Sequence, residues 1–285
     1  MVYYIENQYL KVGVKLHGCE LTSVYSKEAE YEYLWQGDTN IWYGQSPILF
    51  PIIGRLMDDT YTLNGKDYKI NKHGFARNYD WKLLSQTENT LSMIFSDNEE
   101  TIQIYPYHFD LIVTYTVKEK SLTVSHTVIN KNDNVMYFSL GAHPGFNCEI
   151  GDKLVFDENE TLETEKIHLT EALRLPETIP VLNNEKEITI TKDIFAEDAL
   201  ILNSIKSQCI TLKSDNHPRT VKFDMGNSPY LGIWAKPGAP YVCIEPWFGV
   251  NDSYEKKDDF SQKDGINKLE AQEKFNFTWK AEFSH

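Results

Sequence analysis

The chain has 285 residues, 41% of them hydrophobic and 25% charged, a make-up that suits a globular protein with a substantial core. Its 28 Lys+Arg stand against 42 Asp+Glu, for a formal net charge of −14. That excess argues against nucleic acid and anionic membranes as partners, because both need a basic footprint.

The N-terminal MVYYIENQYL has neither the basic start nor the apolar run of a signal peptide, and no later stretch approaches the roughly 20 apolar residues of a membrane span. Leu10, Val12, Val14 and Leu16 alternate with polar or small residues and predict a strand. SPILFPIIGRL (46–56) holds two prolines four positions apart and ends on Gly54-Arg55. Asn64-Gly65 marks a turn. NKHGFARNYDW (71–81) gathers Lys72, His73 and Arg77 around a glycine and Phe75. Leu111, Val113, Tyr115 and Val117 alternate, KEKS turns the chain, and Leu122, Val124, His126 and Val128 carry the alternation back, so 110–129 predicts a β-hairpin. His126 reads there as a satisfied core histidine.

Beyond the hairpin, SLGAHPGFN (139–147) and YVCIEPWFGVND (241–252) each run an apolar strand into a pre-proline residue, His143 and Glu245. KDIFAEDALIL (192–202) predicts one or two helical turns begun by Asp193, and the polar DDFSQKDGINKLEAQEK (258–274) reads as loop. Phe275, Phe277, Trp279, Ala281 and Phe283 alternate in a final strand. Many strands without crossover helices argue for an all-β, antiparallel sandwich or barrel, organised as a single domain over 1–285. Cys19, Cys148, Cys209 and Cys243 lie too far apart for zinc-ligand spacing, so free thiols in a cytoplasmic protein are expected.

His143 and Glu245 carry the chemistry. Proline cannot donate to a sheet ladder, so pairing should stop at each site, and it holds the preceding residue extended. Both side chains should then stand at a sheet rim, with Gly141, Gly145 and Gly249 clearing space for a ligand. The ordinary alternatives are a turn histidine bonded to backbone and an ion-paired Arg55. A carboxylate ending an apolar run is harder to explain without a partner, since burying it unpaired costs several kcal/mol.

FPIIGRL, KHGFARN, GAHPGFN and CIEPWFG, in that order over residues 50 to 249, resemble the aldose 1-epimerase (mutarotase) family, and more closely its bacterial galactose-mutarotase-related branch. The resemblance implies a large antiparallel β-sandwich with a sugar-binding cleft. It implies His143 as the general acid at the ring oxygen, Glu245 as the general base at the anomeric hydroxyl, and His73 as a second catalytic histidine. Arg55 and Asp198 would bind sugar hydroxyls. In hexose-6-phosphate mutarotase relatives an added arginine contacts phosphate, and Arg77 matches that position. Where galactose mutarotases carry Asn-Arg this chain has Gly54-Arg55, and where they carry a second glycine it has Phe75, so galactose does not follow as substrate.

The residue types suit the reaction in their own right. A cyclic hemiacetal opens when its C1 hydroxyl loses a proton while the ring oxygen gains one, and reclosure gives the other anomer. Each proton-transfer group is typically worth about 10²–10⁴ in rate, so the pair could remove roughly 5–11 kcal/mol without metal or organic cofactor. His143 and Glu245 should face each other across a gap wide enough for a pyranose, with Phe75, Phe146, Trp234 and Trp247 offering apolar faces. The expected partner is a small sugar or sugar phosphate, bound by a monomer or homodimer. The alternatives are a protein on the same fold that binds or senses a sugar without catalysis, and a metal enzyme using His73, His143 and Glu245.

Overall fold

The computed structural model describes residues 1–255 and 259–285. Alternating apolar residues become strands that each bury one face. In Phe109–Lys118 and Ser121–Asn130, residues Leu111, Val113, Tyr115, Val117, Leu122, Val124, His126 and Val128 all point inward. Lys118 pairs with Ser121, so only Glu119 and Lys120 form the turn, with Glu119 in the left-handed region at φ 51°. Asn64 and Gly65 make the same kind of turn between Thr60–Leu63 and Lys66–Lys69.

These two long strands sit within a nine-stranded antiparallel sheet. Its order is Arg174–Thr189, Lys153–Ile167, Cys209–Lys213, Thr220–Asp224, Lys274–Ser284, Ser121–Asn130, Phe109–Lys118, Thr90–Ser96 and Lys82–Gln86. Facing it is a six-stranded sheet built on Leu200–Asn203, Tyr230–Trp234, Tyr241–Phe248, Leu140–Ala142 and Ile48–Leu49, with Gly145–Asn147 also paired to Tyr241–Phe248. Aromatic rings join the two layers: Phe248 meets Phe275 and Phe277 at 5.0 and 4.9 Å between centroids, and Phe146 lies 6.0 Å from Phe223. The protein is therefore a large antiparallel β-sandwich. A four-stranded sheet, Val2–Glu6, Leu10–Lys15, Leu21–Ser26 and Tyr31–Glu32, adjoins it.

Three local expectations change. The 192–202 segment forms no helix: 192–198 is a run of turns, and Leu200–Asn203 is a strand on Tyr230–Trp234. Without a capping box, so short a run does not offset the cost of nucleating a helix, and the edge of Tyr230–Trp234 offers Ile201 and Leu202 partners at once. A helix instead forms at Glu99–Ile104, where Asn98 Oδ1 accepts from Glu100 N and Thr101 N while Thr101 Oγ1 accepts from Asn98 N. The segment read as loop contains a short strand, Asn267–Leu269, paired with Met136–Phe138; its first residue, Asp258, lies outside the described residues.

The second proline does not end its strand. Tyr241–Phe248 continues through Pro246, which pairs with Leu231, and is buried along its whole length. Ile244 N donates to Pro144 O, so two residues on the Pro246 nitrogen faces the same side. On that side the neighbouring chain breaks at His143-Pro144, between Leu140–Ala142 and Gly145–Asn147. One proline supplies the gap in which the other loses no hydrogen bond. His143 is thus held within the sheet, 8% exposed, and not at an outer rim.

Candidate active site

Three of the four unusual segments are knitted together by backbone. Phe75 N and Ala76 N both donate to Phe50 O, His73 N donates to Gly54 O, and Ser139 N donates to Pro51 O. Gly54 N in turn donates to His73 Nδ1 at 3.1 Å. With Nδ1 accepting, the neutral imidazole carries its proton on Nε2. Burial holds His73 well below the usual histidine range, reinforced by the charge of Lys72.

His143 Nε2 lies 3.2 Å from Glu245 Oε2, and that oxygen also accepts from Trp247 Nε1 at 3.2 Å. The His73 and His143 rings are 5.8 Å apart, edge to face. Trp42 lies across His143 at 5.1 Å between centroids, and Trp234 abuts it edge-on at 5.7 Å. Burial pushes His143 down to about 3 and Glu245 well above the usual carboxylate range, because neither charge is solvated. Such a pair is most stable when it holds one proton and no net charge.

These groups line a cavity of about 230 Å³, together with Arg77, Lys72, Asp198, Ala199, Asn251 and Trp247. Asp198 is in the left-handed region at φ 75°, its Oδ1 accepting from Ala199 N. Arg77 donates to Lys72 O at 2.8 Å and has no carboxylate partner among the described residues. The Trp247 indole lies flat across the sheet where the neighbouring strands carry Gly232 and Gly141. A Cβ on Gly232 would sit 2.6 Å from its ring. Gly54 is needed for a similar reason: at φ 64°, its added Cβ would come within 2.3 Å of Asn251 Cβ.

His73, Arg77, His143, Asp198, Glu245 and Trp247 line one cavity, and Arg55 and Phe75, expected with them, do not. Arg55 is held by Asp59 through two hydrogen bonds of 2.8 and 2.9 Å and reaches Glu171 at 3.7 Å. An acid four residues along the chain captures its guanidinium. Phe75 packs in the core against Phe50, Phe95, Tyr105 and Phe109, and Phe146 is likewise core. Nor do the three glycines leave room for a ligand, since Trp247 fills the space at Gly141, Trp42 that at Gly145 and Ser139 that at Gly249. The expected gap between His143 and Glu245 is absent as well; they are in direct contact. Trp42 and Asn251 line the cavity unforeseen. Asn251 stands in a quoted motif without a pattern of its own, and Trp42 comes from a loop with no periodicity.

The aldose 1-epimerase sequence pattern matches residues 1–259. Protein LacX (chromosomal) of Lactococcus lactis subsp. lactis is 34% identical over 284 residues, covering 94% of this chain and 95% of that protein. A galactose mutarotase related enzyme from Lactobacillus acidophilus superposes with a TM-score of 0.95 at 32% identity, over 100% of this chain and 98% of that one. A galactose mutarotase-like protein from Lactobacillus casei does so with a TM-score of 0.94 at 31% identity, over the whole of both chains. Both the pattern and these relatives span the segments that carry His73, His143 and Glu245, and the chain belongs to the aldose 1-epimerase family.

Proposed function

We propose that the protein is a mutarotase, interconverting the α and β anomers of an aldose by acid–base ring opening. The observation that carries this reading is the buried His143–Glu245 contact of 3.2 Å on the wall of the cavity. The two oxygens that exchange protons in a hemiacetal are bonded to one carbon, so an acid and a base serving both must be neighbours. Contact between the two groups suits that requirement better than the wide gap expected from sequence.

The proton inventory balances. The pair's single proton, which burial keeps on Glu245, crosses the 3.2 Å contact to Nε2, and His143 then protonates the ring oxygen while Glu245 takes the proton of the C1 hydroxyl. The C1–ring oxygen bond breaks, C1 becomes an aldehyde, and the proton now rests on Glu245. Rotation about C1–C2 and the reverse transfers close the ring to the other anomer. Burial disfavours imidazolium and carboxylate alike, so it favours the forward transfer, which discharges both. His73 presents an N–H from Nε2 to the sugar oxygens, and Asp198 accepts from hydroxyls. Trp247 fixes the Glu245 carboxylate.

A sugar-binding protein without catalysis would have little use for a buried acid–base pair. Glu245→Gln separates the two readings, because it keeps shape and removes the proton acceptor. Mutarotation followed by polarimetry should fall by about 10² or more, with sugar binding by calorimetry retained. A variant that equilibrates its sugar at the parent rate removes Glu245 from the mechanism. Phosphorylated aldoses are a second reading of the substrate, favoured by the unpaired Arg77 and by Lys72 on the cavity wall of an otherwise acidic protein.

A further inference from the structure

Cys243 is two residues before Glu245 on the same strand, so both side chains leave the same face, and the break at His143-Pro144 brings the imidazole to them. One ligand atom from each of His143, Cys243 and Glu245 lies within 4.8 Å of the other two, and all three residues are buried. Nothing in ring opening uses the thiol. We propose that these three residues form a binding site for a zinc-class divalent ion, which occupies the catalytic pair and so shuts the site. The inhibitory half of this proposal rests on the proposed mutarotase reaction; the binding half does not.

The geometry is close to what such an ion requires. His143 Nε2 and Glu245 Oε2, at 3.2 Å, are already spaced as two ligands of one tetrahedral ion. With all three atoms within 4.8 Å of one another, no pair need close by more than about 1.3 Å to reach the separation of ligands on a tetrahedral zinc. Side-chain rotation supplies that much. A thiolate and a carboxylate neutralise a divalent charge and the imidazole adds none, so the occupied site is neutral and compatible with burial. A thiolate with an imidazole selects zinc, cobalt or copper over magnesium and calcium. Trp247 Nε1 already orients the carboxylate from outside, as supporting groups do in metal sites. His73 is not a ligand here, since its Nδ1 is occupied by Gly54 N.

Bound metal occupies Nε2 of His143 and the carboxylate oxygen of Glu245, the two atoms that exchange protons with the sugar, so it acts as an inhibitor and not as a cofactor.

The test titrates metal-stripped protein with Zn²⁺ by calorimetry and with Co²⁺ by absorption, alongside polarimetry. One equivalent should bind, Co²⁺ should give a near-ultraviolet thiolate charge-transfer band, and mutarotation should fall in step and return with chelator. Cys243→Ser and Cys243→Ala should both lose the band, weaken Zn²⁺ binding by about tenfold or more, and keep mutarotating in added zinc. Either variant suffices if the other folds poorly, as circular dichroism would report. A protein that shows the band yet mutarotates no sugar keeps the site and removes the mutarotase reading. Mutarotation that persists in saturating Zn²⁺, no cobalt band, or zinc affinity unchanged in both variants overturns the proposal.

Discussion

Among the four arginines, Arg77 is the one whose charge is left to the cavity. Arg55 is taken by Asp59, Arg174 by Glu165 and Asp264 at 2.7 and 2.9 Å, and Arg219 lies 4.1 Å over the Tyr31 ring. Among the described residues, the Arg77 guanidinium has a hydrogen bond to the Lys72 carbonyl and no carboxylate partner, and burial lowers its pKa from the usual arginine value. A partly buried guanidinium without an acid is stabilised by an anionic ligand, and phosphate offers two oxygens to its planar fork. One hydrogen bond between charged groups is worth about 1.5–3 kcal/mol, or roughly 10–100-fold. Arg77→Ala should therefore lower kcat/KM for glucose 6-phosphate or galactose 6-phosphate by that factor and leave the free sugars little changed. If the parent prefers free sugars and the substitution moves neither ratio, Arg77 serves the fold alone and the phosphate reading is lost.

At the scale of elements, the site depends on how close two loops come. Gly54 N and O clamp His73 from one side while Asn251 presses on Gly54 from the other, itself held by its Nδ2 donating to Ala172 O and by Arg174 Nε donating to its carbonyl. Gly54→Ala should cost about 1–2 kcal/mol for its left-handed backbone and a further 1–3 kcal/mol for overpacking against Asn251. The melting temperature should drop by several degrees, and kcat should fall because His73 loses its seat. Asn251→Gly in the same chain should recover the packing part; a double variant no more stable than the single one would show that the two loops do not meet as described. None of this closeness was legible beforehand. The Glu-Pro and His-Pro pairs disclosed which side chains were fixed, since a proline restricts the residue before it. Which segments touch is a matter of tertiary contact, and so Arg55, with its captor Asp59 only four residues away, was assigned to the wrong surroundings. The motif around Glu245 named Asn251 without giving it a task.

For the molecule as a whole, the alternating runs were enough to read antiparallel strands, because a half-buried strand writes its two faces into every second residue. The 192–202 misreading has the same origin: a short apolar run is compatible with helix or strand until a neighbouring edge decides. His126 shows a consequence that the alternation alone does not reveal. It occupies an inward position of Ser121–Asn130, 1% exposed, stacked on Phe277 at 5.4 Å, with no partner for its Nδ1 among the described residues. Burial pushes it down to about 3. The unfolded chain protonates this imidazole near pH 6.5 while the native one stays neutral, so the stability it permits is complete above pH 6.5 and is lost as pH falls toward 3. His73 and His143 act in the same direction, and Glu245, with its raised value, in the opposite one. Only the His126 contribution should vanish in His126→Phe, which keeps a flat ring on Phe277. Urea unfolding at pH 7, 6 and 5 should show the variant's stability falling less steeply with acid than the parent's, by up to about 1.4 kcal/mol per pH unit. Parallel slopes for the two proteins would mean that His126 is protonated in the folded state, and that the inward face of this strand admits water.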